Sequence, residues 1–179
     1  MIRSLDLQLD YSRPIRNWGI FRFNMQGTQI LDFEYQATEL DPVVSAAGRQ
    51  NANTGIAPAL PEWRINTHLG WSLGPHSVTA TLRYIDDVVF DANGFSFQRF
   101  FPFSNFRSVD RIDAWKQLDM FYTYRDLELP GVGGNLTFSL GARNLTDREA
   151  QKVGMTSGSV QELHNPLGRV IYGRINYQF

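Results

Sequence analysis

Cysteine is absent from this chain of 179 residues. Disulfide frameworks, thiolate zinc sites and cysteine catalysis are therefore excluded together. The chain also lacks a surplus of positive charge, because 17 Lys and Arg residues stand against 18 Asp and Glu residues. Nucleic-acid-binding proteins normally carry a basic surplus, so the composition argues against a nucleic-acid partner.

Long apolar runs are missing as well. No window approaches ~18 consecutive apolar residues, which excludes a transmembrane helix. The mean hydropathy is −0.30. A membrane β-barrel is compatible with this composition, because its strands are only half apolar. Residues 1–6 contain neither an apolar core nor a small-residue cleavage site, so no signal peptide is predicted there.

Recognisable catalytic motifs are also lacking. No Gly-x-Ser-x-Gly elbow occurs in the sequence. The glycines within residues 131–134 lie between two predicted strands rather than before a helix, so they indicate a turn and not a phosphate loop. His68, His76 and His164 fall on separate elements without a close acidic or Cys partner, which argues against a metal site. The sequence thus predicts no enzyme activity, no cofactor and no metal.

What the sequence does contain is strict alternation of apolar and polar residues, which is typical of half-buried β-strands. The longest run is about three times the usual strand length of roughly 5–6 residues, and its apolar face is predicted to include Leu31, Phe33 and Tyr35. No helix-period segment of useful length appears. Seven strands are predicted, over residues 3–11, 21–36, 63–73, 77–84, 117–125, 136–143 and 171–179.

The connections between these strands alternate in length. Outer-membrane barrels have short periplasmic turns and longer extracellular loops, whereas soluble sandwiches usually have short turns at both ends. The pattern therefore predicts an all-β fold, an antiparallel transmembrane β-barrel segment of about seven strands with short periplasmic turns and long extracellular loops. The short connections are residues 12–14, 74–75 and 129–134, and the long ones are residues 37–61, 91–111 and 144–167.

The predicted apolar faces contain no Asp or Glu, and their charges lie at strand starts, at Arg3, Lys116 and Arg169. A bilayer enforces this distribution, because a charge on the lipid face at the midplane costs roughly 2–4 kcal/mol. At an extracellular rim these cations either meet lipopolysaccharide phosphates or extend to water. Aromatic girdles are also predicted, with Tyr11, Phe21, Trp71, Tyr124, Tyr177 and Phe179 at the inner rim and Tyr35, Trp63 and Tyr84 at the outer rim.

The last two predicted strands have a distinctive sequence. Residues 135–147 read Asn-Leu-Thr-Phe-Ser-Leu-Gly-Ala-Arg-Asn-Leu-Thr-Asp, and residues 166–179 begin Pro-Leu-Gly-Arg and end Asn-Tyr-Gln-Phe. These segments resemble the last two barrel strands of TonB-dependent outer-membrane receptors. The ending also resembles the signal read by the barrel-assembly machinery. The physical rationale of that signal is that a half-apolar edge strand ending in an aromatic residue can be captured by strand addition. The residues of that signal are Ile171, Gly173, Ile175, Tyr177 and Phe179.

The resemblance covers residues 1–179 and implies the C-terminal portion of the receptor β-barrel domain. That family has a barrel of about 22 strands closed around an N-terminal plug. Seven strands are about a third of it, so the resemblance implies an incomplete barrel without plug, TonB-contacting box or signal peptide. It further implies active uptake, across the outer membrane of a Gram-negative bacterium, of a scarce ligand such as a ferric siderophore. The implied partners are outer-membrane lipid and lipopolysaccharide, the barrel-assembly machinery and, only through the missing plug, the TonB complex.

A phenylalanine-rich segment lies within the second long connection. Such a cluster either grips an apolar or ring-bearing ligand at the extracellular mouth or forms a small loop core. Because Phe clusters usually serve packing, the second interpretation is favoured. The cluster consists of Phe95, Phe97, Phe100, Phe101, Phe103 and Phe106.

Charged residues alternate along the predicted lumen face. These side chains either steer anionic ligands or contact a plug and pair with one another, and generic lumen polarity favours the latter. The predicted lumen-facing residues are Arg22, Arg64, His68, Arg83, Asp119, Arg125, Arg143 and Arg174.

Two alternative functions stay open from the sequence. The first is a complete eight-stranded outer-membrane protein with one further strand within residues 37–61. An eight-stranded barrel has a packed interior, whereas the inward faces predicted here carry many long charged side chains. The second alternative is a soluble glycan-binding β-sandwich, which membrane fractionation would separate from both membrane proteins.

Overall fold

The computed structural model describes residues 1–36, 38–51, 57–90, 111–128, 133–153 and 160–178. Within these ranges the chain is all-β, with strands and no helix. No helix in the described ranges has the length and apolarity needed to cross a membrane. The strands are β1 (Ile2–Ile15), β2 (Gly19–Tyr35), β3 (Val44–Ser45), β4 (Trp63–Leu73), β5 (His76–Ile85), β6 (Val88–Val89), β7 (Arg111–Ile112), β8 (Trp115–Glu128), β9 (Asn135–Arg143) and β10 (Val170–Gln178).

Seven long strands form one antiparallel sheet in the order β1-β2-β4-β5-β8-β9-β10. Each long strand pairs with the next long strand along the chain. Strands of alternating apolar and polar residues with turn signals between them favour this pairing. The short strand β3 pairs with the end of β2, and β6 pairs with β7 in a separate two-stranded sheet. The seven predicted strands and their antiparallel arrangement are therefore confirmed.

The first hairpin differs from the prediction. The turn expected at residues 12–14 lies further on, and the amide of Trp18 donates to the carbonyl oxygen of Ile15 over 2.9 Å. Pro14 is tolerated within β1 because β1 has a single neighbour among the described strands, and proline is found on edge strands. As a result Arg13 lies opposite Phe21 on the apolar face. The prediction had placed Arg13 in a turn and so did not count it among the charges at the rim of this face.

A second difference is a β-bulge near the other end of this hairpin. The register between β1 and β2 shifts between Arg3 and Ser4, so that one extra residue of β2, Leu31, is inserted. Because an extra residue reverses the alternation of side chains, Phe33 faces the polar side, opposite Ile2. The prediction that Phe33 and Tyr35 lie on the apolar face is therefore wrong.

The register places apolar side chains of neighbouring strands side by side. These side chains are substantially exposed, with Leu69 at 50% and Ile171 at 67%. No other described element packs on this surface, which we call the apolar face. One of its rows crosses the whole sheet through Tyr11, Phe23, Leu69, Ala80, Met120, Ala142 and Ile171.

The opposite surface of the sheet, the polar face, is made of the intervening residues. Its rows contain carboxylates, amides, hydroxyls and guanidinium groups in hydrogen-bonding positions. One such row runs through Asp10, Asn24, His68, Thr81 and Asp119.

The buried core lies in the long connections and not on the apolar face. We call the described residues 36–62, 86–114 and 144–169 the loop layer. Val88 and Ile112 are fully buried there, and Val153 and Leu163 nearly so. Trp115 lies on the polar-face side of β8, in the row through Ile85, and is buried at the same end of the sheet. The loop layer therefore covers the long-connection end of the polar face.

Candidate functional site

The polar face is the candidate functional site, because it collects charged and hydrogen-bonding side chains from all seven long strands. The strand pairing brings seven of the eight predicted lumen-facing residues to this one face, and Arg125, at a bulge in β8, borders a cavity on the same face. Arg22, Arg64 and His68 lie on β2 and β4, Arg83 on β5, Asp119 and Arg125 on β8, Arg143 on β9 and Arg174 on β10.

Asp119 is the central acceptor at the long-connection end. Its carboxylate pairs with Arg83 over 3.2 Å. It also accepts hydrogen bonds of 2.8 Å from the Gln117 side-chain amide and from the backbone amide of Asn144. Three donors on different parts of the chain therefore hold one carboxylate in place, which links β5, β8 and the start of the third long connection.

The β1 side of the polar face carries two carboxylates of its own. Asp10 accepts a hydrogen bond of 2.7 Å from Gln8 and a further one from Asn24. Asp6 accepts from the hydroxyl of Thr28 over 2.6 Å. The donors are neutral and belong to the same hairpin, so each carboxylate is held in place by hydrogen bonds and keeps its negative charge.

The short-turn end of the polar face is rich in hydroxyls and arginines. Arg22 Nη1 donates to the hydroxyl oxygen of Ser72 over 3.3 Å, and Thr123 and Ser139 share a hydrogen bond of 3.1 Å. A cavity of about 800 Å³ opens on this part of the face. It is the part of the polar face that the loop layer leaves uncovered.

His164 is the residue whose role sequence reasoning missed. Its ring stacks on Trp115 with centroids 5.0 Å apart. Nε2 lies 2.8 Å from the carbonyl oxygen of Asp113, and Nδ1 accepts a hydrogen bond of 3.2 Å from the amide of Gln151. These two bonds make the neutral ring a donor at Nε2 and an acceptor at Nδ1. No local pattern signals this arrangement, because Asp113 and His164 are 51 positions apart.

Phe121 is apolar at a position of β8 where the alternation favours a polar residue, and an aromatic pair on the polar face explains this exception. Phe121 and Tyr172 stack with ring centroids 6.1 Å apart. Between their strands lies Gly141, where an added Cβ would stand 2.6 Å from Cε2 of Tyr172. Glycine at this position therefore leaves the space that the tyrosine ring occupies.

The cations at the long-connection rim have partners within the chain. Arg3 pairs with Asp32 over 3.0 Å, and Arg169 lies 3.8 Å from a carboxylate oxygen of Asp147. The ammonium group of Lys116 lies 5.8 Å above the centre of the Tyr84 ring. Two of the three cations, Arg3 and Arg169, are therefore paired with carboxylates of the chain itself.

Strand β10 carries the residues of the predicted assembly signal. Ile171 and Ile175 are exposed, and the hydroxyl of Tyr177 donates to the carbonyl oxygen of Gly133 over 2.7 Å. Gly173 lies opposite Leu140. Phe179 and the phenylalanine cluster, Phe95, Phe97, Phe100, Phe101, Phe103 and Phe106, lie outside the described residues.

The described residues include no group of three or more His, Asp and Glu side chains that could hold a metal ion. No protein-family model, curated protein or solved structure matches this chain. The function is therefore inferred from the sheet, its two faces and its register.

Proposed function

We propose that this chain is part of the β-barrel of an outer-membrane receptor of the TonB-dependent type, which takes up a scarce nutrient such as a ferric siderophore. The observation that carries the proposal is the uncovered apolar face of a seven-stranded antiparallel sheet. Such a surface fits hydrocarbon, and the polar face on the other side then lines a lumen. In this role the chain contributes transport and no catalysis.

The size of the apolar face supports the proposal that this surface contacts lipid and not water. Monomeric soluble proteins rarely expose contiguous apolar patches beyond a few hundred Å². Here leucines, aromatic residues and isoleucines from all seven strands stand side by side, roughly half exposed. Moving each large side chain from water into an apolar medium is favourable by about 1.5–3 kcal/mol.

The position of charge on the apolar face supports the same proposal. Arg3, Arg13 and Lys116 lie near strand ends, where a charge reaches water at small cost. Asp32 comes to this side through the bulge, and its pairing with Arg3 cancels both charges. The middle rows of the face are apolar.

The edges of the sheet indicate that further strands complete the barrel. Within the described strands, β1 and β10 have one neighbour each. Unpaired backbone groups are not tolerated in hydrocarbon, so both edges need partners in a bilayer. We therefore propose that this sheet closes with strands beyond the seven described.

The two alternatives fit the observations less well. Residues 37–61 contribute the two-residue strand β3 to the described structure and no eighth long strand. A sandwich requires a second sheet packed on the apolar face, whereas the other described sheet is the pair β6 and β7, which lies in the loop layer.

The location is tested by exporting the chain into the periplasm of a Gram-negative host and fractionating the cell. We expect it in the outer-membrane fraction, released by detergent and not by high salt. Recovery of a soluble, detergent-free monomer would contradict the membrane proposal and favour the sandwich.

The orientation of the two faces is tested with single-tryptophan variants and vesicles of brominated phospholipid. Trp71 lies on the apolar face beside Phe21, and Trp115 is buried beneath His164. We expect bromine on the acyl chains to quench Trp71 and to leave Trp115 bright. Equal quenching of both would refute the assignment of faces.

The nutrient is tested by deleting the gene and comparing growth on ferric siderophores under iron limitation, where unchanged growth would exclude that ligand class.

A further inference from the structure

The short-turn half of the polar face carries positive charge without ion pairs. Among the described residues, the guanidinium groups of Arg22, Arg125 and Arg174 form no salt bridge. At the other end of the same face, Arg83 is paired with Asp119. At the short-turn end, three guanidinium groups on the polar face thus have no carboxylate partner among the described residues.

Two of these arginines line one cavity. Arg22 and Arg125 border the open volume of about 800 Å³, together with Ser72, Ser77 and His68. The hydrogen bond from Arg22 to Ser72 uses one of the five N–H groups of that guanidinium. The remaining donors and the two serine hydroxyls are available to a ligand in the cavity.

The two arginines outnumber the carboxylate in the cavity wall. Asp10 is the carboxylate among the described lining residues, and it accepts hydrogen bonds from Gln8 and Asn24. Space is available as well, because Gly70 faces Arg22 across the strand pair and carries no side chain. The cavity thus offers charged and neutral donors around an open volume.

We propose that this cavity binds a small phosphoryl-type oxyanion, such as a phosphate or a phosphate ester. Guanidinium groups bind such oxygens bidentately, and charge-assisted hydrogen bonds are about twice as strong as neutral ones. Donors from β2, β4, β5 and β8 approach from several directions, which suits a tetrahedral anion better than a planar carboxylate. The cavity opens on the face opposite the apolar one, so the ligand is a free solute and not a lipid headgroup.

This inference requires the polar face to be open to water and does not require a closed barrel. It therefore goes beyond the proposed transport function, and each can fail alone. Membrane fractionation measures the apolar face, whereas anion binding measures the polar one.

The test is isothermal titration calorimetry of the chain refolded in detergent, with inorganic pyrophosphate as the probe at low and constant ionic strength. R22Q and R125Q each remove one cavity arginine. R174Q is the matched control, because Arg174 lies on the same face but does not line the cavity. We expect each cavity variant to bind pyrophosphate about ten-fold more weakly, because each loses one charge-assisted hydrogen bond. The control is expected to bind less than about two-fold more weakly.

Far-UV circular dichroism shows whether each variant keeps its β-structure, so that weak binding is not mistaken for unfolding. S72A/S77A provides a second probe that leaves the charge unchanged, and a weakening of several-fold is expected. Absence of saturable binding to the folded chain at about 10 mM pyrophosphate overturns the inference. So does an equal loss in R174Q, which would indicate general charge attraction, or binding of an acidic peptide in place of pyrophosphate.

Discussion

The seven long strands leave their apolar side chains exposed, whereas the long connections bury theirs. Leu69 in the sheet is 50% exposed, while Val88 and Ile112 in the loop layer are 0% exposed. The strands are joined by continuous backbone ladders. The loop layer contains short pairings and a small side-chain core.

This difference separates two sources of stability. In the loop layer, water drives apolar residues together, as in any soluble protein. In the sheet, the apolar side chains gain nothing from water, and the strands are held by hydrogen bonds and register. A sheet of this kind gains further stability in an apolar surrounding, and this is the reason we propose a membrane location.

The largest expected effect is in the loop core. Ile112→Ala removes a fully buried side chain and is expected to destabilise the loop layer by about 2–5 kcal/mol. Ile171→Ala, on the apolar face at 67% exposure, is the matched control. It leaves no cavity inside the protein, so it is expected to cost only part of the about 1.5–3 kcal/mol that transfer of a large side chain from water into detergent contributes. Urea unfolding followed by Trp115 fluorescence measures both variants. Equal effects would remove the distinction between the two regions.

The next effect concerns the apolar face alone. Leu69→Arg places a charge in the middle of that face and is expected to cost about 2–4 kcal/mol of membrane insertion. Thr79→Arg places the same charge on the polar face and is expected to insert nearly as well as the parent. The urea concentration that releases half of the chain from phospholipid vesicles is the measurement. If Thr79→Arg were the more harmful, the faces would have to be exchanged.

A smaller effect is expected where a glycine makes room for an aromatic ring. Gly141→Ala forces Tyr172 to move and is expected to destabilise the sheet by about 1–3 kcal/mol. In the background Tyr172→Ala the same substitution is expected to be nearly neutral. A double-mutant cycle from urea unfolding in detergent measures this coupling. A coupling energy near zero would mean that the ring does not depend on the glycine.

The smallest effect is expected at the rim. Arg3→Gln breaks an exposed ion pair with Asp32, which is worth about 0.2–1 kcal/mol in water. Asp32→Asn is the matching change on the other partner. Both variants are compared by urea unfolding at low and at high salt, where the difference from the parent should shrink. A salt-independent loss would indicate that the pair lies deeper in the apolar surrounding than the bulge suggests.

The strands and their faces could be predicted because alternation is a local property. Leu5, Leu7 and Leu9 share a face in any extended chain, since side chains alternate with a period of two. Exceptions arose where a single residue altered that period. Leu31 is inserted as a bulge and so reverses Phe33, an event that depends on pairing with β1 and leaves no clear mark in β2 itself.

The candidate site was predictable in part for the same reason. The alternation assigned Arg22, Arg83 and Asp119 to one face, and the strand register agrees. It did not reveal that Arg83 pairs with Asp119 while Arg22 borders an open cavity. Ion pairing depends on which residues of different strands come within about 4 Å, and that is a property of register.

By itself the sequence determined an all-β chain of seven long antiparallel strands with an apolar and a polar face. Backbone geometry converts a local repeat of two residues directly into two faces, so no long-range information is needed. Only the tertiary structure decided where the core lies and which charges are paired. The stacking of His164 on Trp115, the space that Gly141 leaves for Tyr172 and the burial of Ile112 join residues far apart in sequence. Such contacts follow from packing in three dimensions, which no local pattern encodes.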